Sequence, residues 1–424
     1  MNTELFDIKI RAVEGGVTAA AGFKAAGIHA GFRKNPERLD YALVVPDKPC
    51  PGAGVFTTNR FCAAPVQVSR ANLGGADKGY GIIAGVSVNS GNANAATGET
   101  GLACARETCS IASQVIGCEP QQILVASTGV IGQILPIDTF ETAIPAAYEA
   151  LSAHGGADAA RAIMTTDTHS KEYAVSYVSE AAGHAGNVYT VGGMCKGSGM
   201  IHPNMCTMLG FVTTDVNISK EMLQKCVSAD VVDSFNMISV DGDTSTNDTL
   251  LVLANGMAGN EEITAEGEDY DNFCKALHEI TTFLAKKMAG DGEGATALFE
   301  TKVIHAASKE DARTLAKSVI CSSLTKAAIF GHDANWGRIL CALGYSGAKF
   351  DPENVDLYFE SKSGKIHIFG NGVACDYSEE EATKILSDPE VTALVDMHMG
   401  DAEATAWGCD LSYDYVKINA DYRS

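Results

Sequence analysis

The chain has 424 residues, 46% of them hydrophobic and 20% charged, a globular composition with enough apolar material for a large core or two. Its net charge of −22 repels phosphate backbones and anionic lipid surfaces, which argues against nucleic acid and membranes as partners. The 13 cysteines form no C-x-x-C pair and no zinc or disulfide spacing, and the opening MNTELFDIKI lacks a signal-peptide pattern, so the expectation is reduced thiols in a cytoplasmic protein.

In chain order, residues 15–60 read as short strands and turns. IIAGVSVNSGNANAATG (82–98) reads as a buried strand running into an Asn/Gly loop, and 99–117 as a helix with Ala, Cys, Ile and Val on one side. QQILVASTGVIGQ (121–133) reads as a strand ending in a Ser-Thr-Gly turn, and 137–152 as helix. KEYAVSYVSE alternates as a strand does; NVYTVGG leads into the loop MCKGSGMIHPNM and then the strand CTMLGFVTTD. Helix is expected at 219–235, strand at 249–255, helix at 268–289, strand at 297–306 and helix at 309–327. A helix through NWGRILCALG, a hairpin at 355–375 and a helix at 379–396, capped by Ser378 and Glu381, follow. The terminal YDYVKINADY alternates and reads as a closing strand. Strands and helices mingle without a β-α-β beat and no G-x-G-x-x-G follows an early strand, so the pattern favours a layered α/β fold with mixed or antiparallel sheets.

Several words could carry chemistry. In GMCKGSGMIHPNMCTML, glycines surround Lys196; the loop reads either as a tight turn with a surface lysine or as a constrained ligand loop, and not as a P-loop, since the lysine precedes the glycines. Thr207 is a weak nucleophile unless a base stands beside it. Cleavage of the bond between Cys206 and Thr207 would supply that base as the new α-amine, whose ordinary pKa is about 7.7–8.0. Thr128 and Gly129, in Ala126-Ser127-Thr128-Gly129-Val130 at a strand end, offer a hydroxyl and backbone N–H groups as oxyanion donors, or form an ordinary turn. Asp241, Asp243, Ser245, Asn247 and Asp248 resemble the start of a calcium loop, but Thr246 and Val252 stand where that loop needs Gly and Glu, so a hydrogen-bonded turn is expected and no metal. Glu293 in GDGEGAT follows a helix, as a solvated acid or as a receiver of a substrate ammonium. His332 and Asp333 look packed at a helix start in a structural role.

Taken together and in order, VNSGNANAATG, ASTGVIG, IMTTDT, KGSGMIHPNMCTML, NMISVDGDTSTNDT, GDGEGAT, GHDANWGRI and YVKINADYRS closely resemble the arginine-biosynthesis ornithine acetyltransferases, or glutamate N-acetyltransferases. The resemblance runs from about residue 15 to the end. It implies an αββα fold with helices outside layered sheets and a smaller C-terminal α/β subdomain. It implies self-cleavage into chains 1–206 and 207–424, assembled as a heterotetramer of two of each. The activity it implies is acetyl transfer from N2-acetylornithine to glutamate through an acetyl ester of Thr207, and in one branch of the family also from acetyl-CoA. Thr128 and Gly129 look like the oxyanion hole. Thr168 (with Thr166 as the alternative), Lys196, Thr207, Glu293, Asn419 and Ser424 look like substrate contacts. No cofactor or metal is implied, because the acetyl group stays on the protein. The chain departs from the family's pattern at Cys206, where Ala is usual, and at His202, where Ala is common. The competing readings are a self-processing aminopeptidase or hydrolase with water as acceptor, and a non-catalytic calcium-binding protein.

Overall fold

The structure, a computed structural model, describes residues 9–181, 185–202 and 208–421. Two compact units are formed. The first takes the described residues of Met1–Gly197, Pro203–Ser234 and Thr244–Leu284; the second takes Ser198–His202, Phe235–Asp243 and Ala285 to the C-terminus. The units therefore do not follow a cut at residue 206, because both draw on chain from either side of it.

The first unit holds two sheets. The larger runs in the order Ile10–Val13, Lys171–Val178, Val188–Lys196, Leu209–Thr214, Thr249–Ala254, Cys50–Phe56 and Tyr80–Ile83. All its neighbours are antiparallel except Leu209–Thr214 with Thr249–Ala254. The smaller sheet orders Phe23–Ile28, Tyr41–Pro46, Gly85–Asn92 and Ile123–Val130, with only the last pair parallel.

Strand Tyr41–Pro46 shows how the layers follow from sequence. Every residue of YALVVP is buried, as expected of a strand covered on both faces. Side chains alternate across a strand. Ala42 and Val44 thus face one core, with Val86, Val88, Leu124 and Ala126 of the same sheet and Phe56, Met194, Phe211 and Leu251 of the larger sheet. Tyr41, Leu43 and Val45 face the other core, with Cys109 and Ala112 of helix Gly98–Ile116 and Phe140, Ala143 and Ile144 of helix Ile137–Glu149. On the far side of the larger sheet lies helix Glu268–Gly290: Phe283 stacks on Tyr173 at 3.9 Å, and a side chain at Gly193 would meet Ile280 and Leu284 at 3.1–3.2 Å. The unit is a helix–sheet–sheet–helix sandwich.

The second unit is built on one sheet in the order Ile238–Ser239, Ala402–Cys409, Leu298–Ala306, Glu390–Asp396, Asp356–Ser361, Gly364–Gly370 and Val373–Ala374, mixing parallel and antiparallel neighbours. Helix Lys309–Cys321 buries Ala312, Leu315, Ala316, Val319 and Ile320, one stripe at helical spacing. No helix among the described residues is long and apolar enough to cross a membrane.

Several elements differ from the pattern reading. The terminal YVKIN segment is not a strand but helix Tyr413–Ala420, none of whose residues is buried. Among the described residues its alternation finds no neighbouring strand, and Asp414 sits in the first helical turn, while the Ser412 hydroxyl makes no cap bond and donates to the Gly294 carbonyl instead. The expected helix 379–396 ends at Leu386; after Pro389 the chain becomes strand Glu390–Asp396, whose alternating burial is that of a half-covered strand. The helix expected at 309–327 breaks at Ser322, whose hydroxyl accepts the Thr325 N–H at 3.2 Å and starts a new helix, Ser323–Phe330. Strand Ala402–Cys409, AEATAWGC, has Ala at every second position from 402 to 406 and no strand signal in the sequence reading; ladder pairing on both sides overrides local propensity. His332 and Asp333 are exposed, not packed.

Candidate active site

In the first unit the sequence words converge at the end of strand Val188–Lys196. Lys196 is the last residue of that strand rather than part of the following turn, and it pairs across the ladder with Leu209, two residues beyond Thr207. Its side chain is buried, and Nζ donates to Thr128 Oγ1 at 3.3 Å. Thr128 and Gly129 lie within strand Ile123–Val130, not in a turn after it. The ladder is irregular there: Thr128 stands opposite both Ser90 and Asn92. Gly129 has φ +134°, and a Cβ on it would come within 2.3 Å of the Gly91 backbone, so glycine alone fits this close approach.

Asp167 organises the group from below. Its Oδ1 accepts from Lys171 Nζ at 2.7 Å and from the Gly197 N–H at 2.8 Å, and Oδ2 accepts from the Thr165 N–H at 2.8 Å. Asp167, Lys171 and Lys196 are all buried. Burial alone would push the Asp167 carboxyl up, but the Lys196 and Lys171 ammonium groups outweigh it and hold the carboxyl well below the usual range. Burial pushes the Lys196 ammonium down, and Asp167 opposes that shift. Thr168 is exposed, its hydroxyl 3.0 Å from His169 Nδ1, and Thr166 is half-buried. Pattern reading of TTDT weighed the threonines and passed over Asp167. The signal was an acid flanked by Thr and followed four residues later by Lys171, but only the fold shows that both are dry.

In the second unit, Glu293 is buried, and its Oε2 accepts from Asn419 Nδ2 at 2.8 Å. Asn419 Nδ2 also donates to the Tyr415 carbonyl at 3.0 Å. The Glu293 N–H donates to the Ser198 carbonyl at 2.9 Å, and Ser198 Oγ to the Asp291 carbonyl at 2.7 Å. A Cβ on Gly199 would lie 2.3–2.6 Å from the Glu293 carboxyl, so the KGSG glycine is the room that acid occupies. Asp241 accepts the N–H groups of Met200 and Ile201 at 2.6 and 2.8 Å and that of Asp243 at 3.3 Å, so Asp241 clamps the Ser198–His202 segment, in line with a hydrogen-bonded turn. Tyr415 donates to Asp241 at 3.3 Å; burial, with that carboxylate's charge, pushes its phenol up. His202 Nδ1 lies 3.1 Å from Ser239 Oγ and 3.4 Å from Cys321 Sγ. Burial, with Lys317 nearby, lowers its pKa to about 4, so the ring is neutral at pH 7. Cys206, Thr207 and Ser424 lie outside the described residues.

The model of the ArgJ family matches residues 24–424. The chain belongs to the ArgJ family. The arginine biosynthesis bifunctional protein ArgJ of Symbiobacterium thermophilum is 50% identical over 97% of this chain and 99% of its own. The protein of the same name from Streptococcus thermophilus is 46% identical over 98% and 100%. A crystal structure of the Bacillus halodurans ArgJ protein is 48% identical over 50% of this chain and 99% of its own, with a TM-score of 0.48. The ArgJ match covers both units, and with them the Lys196–Thr128 pair and the Glu293–Asn419 pair.

Proposed function

We propose that this chain is an acetyltransferase of arginine biosynthesis that moves an acetyl group from N2-acetylornithine to glutamate, and that it also makes N-acetylglutamate from acetyl-CoA. The observation that carries this reading is the ArgJ match over nearly the whole chain; the relatives named as bifunctional support the second donor.

Thr207 is the nucleophile. Its hydroxyl attacks the Cys206 carbonyl, the peptide C–N bond breaks as an ester forms, and hydrolysis frees chains 1–206 and 207–424 with the Thr207 α-amine exposed. That amine then takes the hydroxyl proton when Thr207 attacks the acetyl carbonyl. Ornithine leaves with the proton, and the glutamate amine attacks the acetyl ester in the second half-reaction.

Thr128 and Gly129 receive the negative oxygen of each tetrahedral intermediate. The Lys196 contact supports this role: Thr128 Oγ1 accepts from Nζ, which leaves the hydroxyl's own hydrogen to be donated elsewhere. Lys196 has further N–H donors for the α-carboxylate that both amino-acid substrates share. We assign substrate contacts as well to Thr168, Glu293, Asn419 and Ser424. Glu293 suits an ammonium and Asn419 either charge, as expected where ornithine and glutamate differ at the far end. The two cleaved chains assemble as a heterotetramer in the cytoplasm.

The test is an assay of the purified protein with glutamate and either donor. N-acetylglutamate formed without net acetate release supports transfer; acetate release independent of glutamate marks a hydrolase and sinks the reading. Thr207→Ala should give one full-length band on denaturing electrophoresis and no activity, where the parent protein gives two of about half the length.

A further inference from the structure

The second unit carries a histidine–aspartate cluster that the acetyl-transfer reading does not use. It sits at the C-terminal ends of two parallel neighbours, strands Leu298–Ala306 and Glu390–Asp396. His305 Nδ1 lies 2.9 Å from Asp396 Oδ1, and His398 Nδ1 lies 3.3 Å from the same oxygen. Among the described residues this is the group of three side chains whose ligand atoms all fall within 4.8 Å of one another.

We propose that His305 Nδ1, His398 Nδ1 and an Asp396 carboxylate oxygen form a binding site for one divalent transition-metal ion of the Zn²⁺ type, with a fourth position open to water.

Four observations carry this. The first is spacing. Ligands about 2.0–2.1 Å from a tetrahedral ion stand about 3.3 Å from one another; the two nitrogen–carboxylate separations, 2.9 and 3.3 Å, lie just short of that edge and at it, and all three ligand atoms fall within 4.8 Å. A small shift of the carboxylate opens the centre for an ion.

The second is the outer shell. The other nitrogen of His398, Nε2, lies 2.7 Å from Asp356 Oδ2. A carboxylate on the far nitrogen of a ligand histidine fixes its tautomer and ring orientation, and is the usual support of a metal-bound imidazole. Asp356 is itself fixed from its other side, with Oδ1 3.0 Å from His367 Nε2.

The third is charge. Asp356 and Asp396 are register partners on adjacent antiparallel strands. Like charges directly opposite are destabilising in a sheet, so this pair calls for a cation. The whole-chain charge of −22 raises the local concentration of cations further.

The fourth is the backbone. His305 and His398 both have left-handed conformations, φ +53° and +48°, which few non-glycine residues adopt. His305 lies in the irregular part of its strand, between the pairs Val303–Ala404 and Ala306–Ala402, where a bulge re-aims side chains. The N–H groups of Met399 and Gly400 both donate to the His305 carbonyl, at 2.7 and 3.0 Å, which ties the His398 loop to the His305 strand. Two imidazoles are thereby held on one carboxylate before any ion arrives. About half of each imidazole is exposed, 51% for His305 and 46% for His398, so an ion can enter from solvent.

The experiment titrates the full-length, chelator-treated protein with Zn²⁺ by calorimetry and with Co²⁺ by visible absorption. The expected result is one ion per chain and a four- or five-coordinate Co²⁺ spectrum without a thiolate charge-transfer band. His398→Ala and His305→Ala should each weaken binding at least 100-fold with circular dichroism unchanged. Asp356→Asn should weaken it about 10–100-fold, the range for an outer-shell partner, while His367→Ala keeps the stoichiometry. A thiolate band, a stoichiometry unchanged in the His305→Ala/His398→Ala double variant, or no saturable binding overturns the proposal.

Discussion

Two groups of titratable side chains sit at strand ends in this molecule and manage charge in opposite ways. At the end of Val188–Lys196, three charged side chains are dry: Asp167, Lys171 and Lys196 are each at most 7% exposed. At the ends of Leu298–Ala306 and Glu390–Asp396, the histidines of the His305/Asp396/His398 cluster stand about half in water. A buried charge must be paired and hydrogen-bonded, so the first group is locked into one geometry. An exposed group can exchange its partners with solvent at little cost, which suits reversible ligand uptake.

Removing the Asp167 carboxylate should have the largest effect on stability. Asp167→Asn strips the partner from two buried ammonium groups, and breaking a buried pair from one side costs about 3–5 kcal/mol. Denaturant unfolding checks this. The same carboxyl sets an acid limit. Its pKa is depressed in the folded state, so its stabilisation is complete above the unfolded value of about 3.9 and is lost as pH falls below that towards the folded value. Asp167→Asn should therefore flatten the stability–pH curve below about pH 4 relative to the parent. An unchanged acid limb would show that the dry lysines are not what holds Asp167 ionised.

The next test separates positioning from donation at Thr128. Thr128→Ala removes the proposed oxyanion donor, and on that proposal it should lower kcat by about 10²–10³ with KM little changed. Lys196 keeps Asp167 as its electrostatic partner in that variant, so the fold should hold. A variant with normal turnover would make the 3.3 Å Lys196 contact purely structural.

A smaller effect is expected in the second unit. Asn419→Ala removes a hydrogen bond to the Glu293 carboxylate; such bonds contribute about 1.5–3 kcal/mol, which is tenfold or more in KM for a substrate that relies on Glu293. The smallest is at the tail. Deleting Arg423 and Ser424, or adding a C-terminal tag, should raise KM for acetylornithine a few-fold and leave self-cleavage intact. Steady-state kinetics of both substrates reads each change, and an unaltered KM in the tagged enzyme reduces the tail to a structural role.

Motif order carried the family and most of the candidate residues, because these are matters of residue identity. Periodicity carried the elements with strong one-sided or two-sided burial, such as Gly98–Ile116, Glu268–Gly290 and the strand Leu209–Thr214. It failed where the local pattern is decided by a neighbour. EVTALVD is a strand because Leu298–Ala306 and Asp356–Ser361 lie on either side of it, and YVKINA is a helix that no strand pairs with among the described residues. Thr128 was read as a turn residue because Ser-Thr-Gly is turn-forming by itself, while the ladder with Ser90 and Asn92 keeps it in the sheet.

By itself, then, the sequence determined which hydroxyls, amides and acids are available; that Gly129 and Gly199 stand where a side chain has no room is a fact of the fold. Nor did the sequence determine which of its charges are dry. Asp167 is one of 53 acids and Lys196 one of 31 bases. Only the tertiary structure picks them out, by burying both at one strand end and so removing the water that would otherwise solvate each alone. The same holds for His305, His398 and Asp356, which are up to 93 positions from one another along the chain: register and a bulge bring them to one sheet end, because ladder pairing fixes separations that sequence distance leaves open.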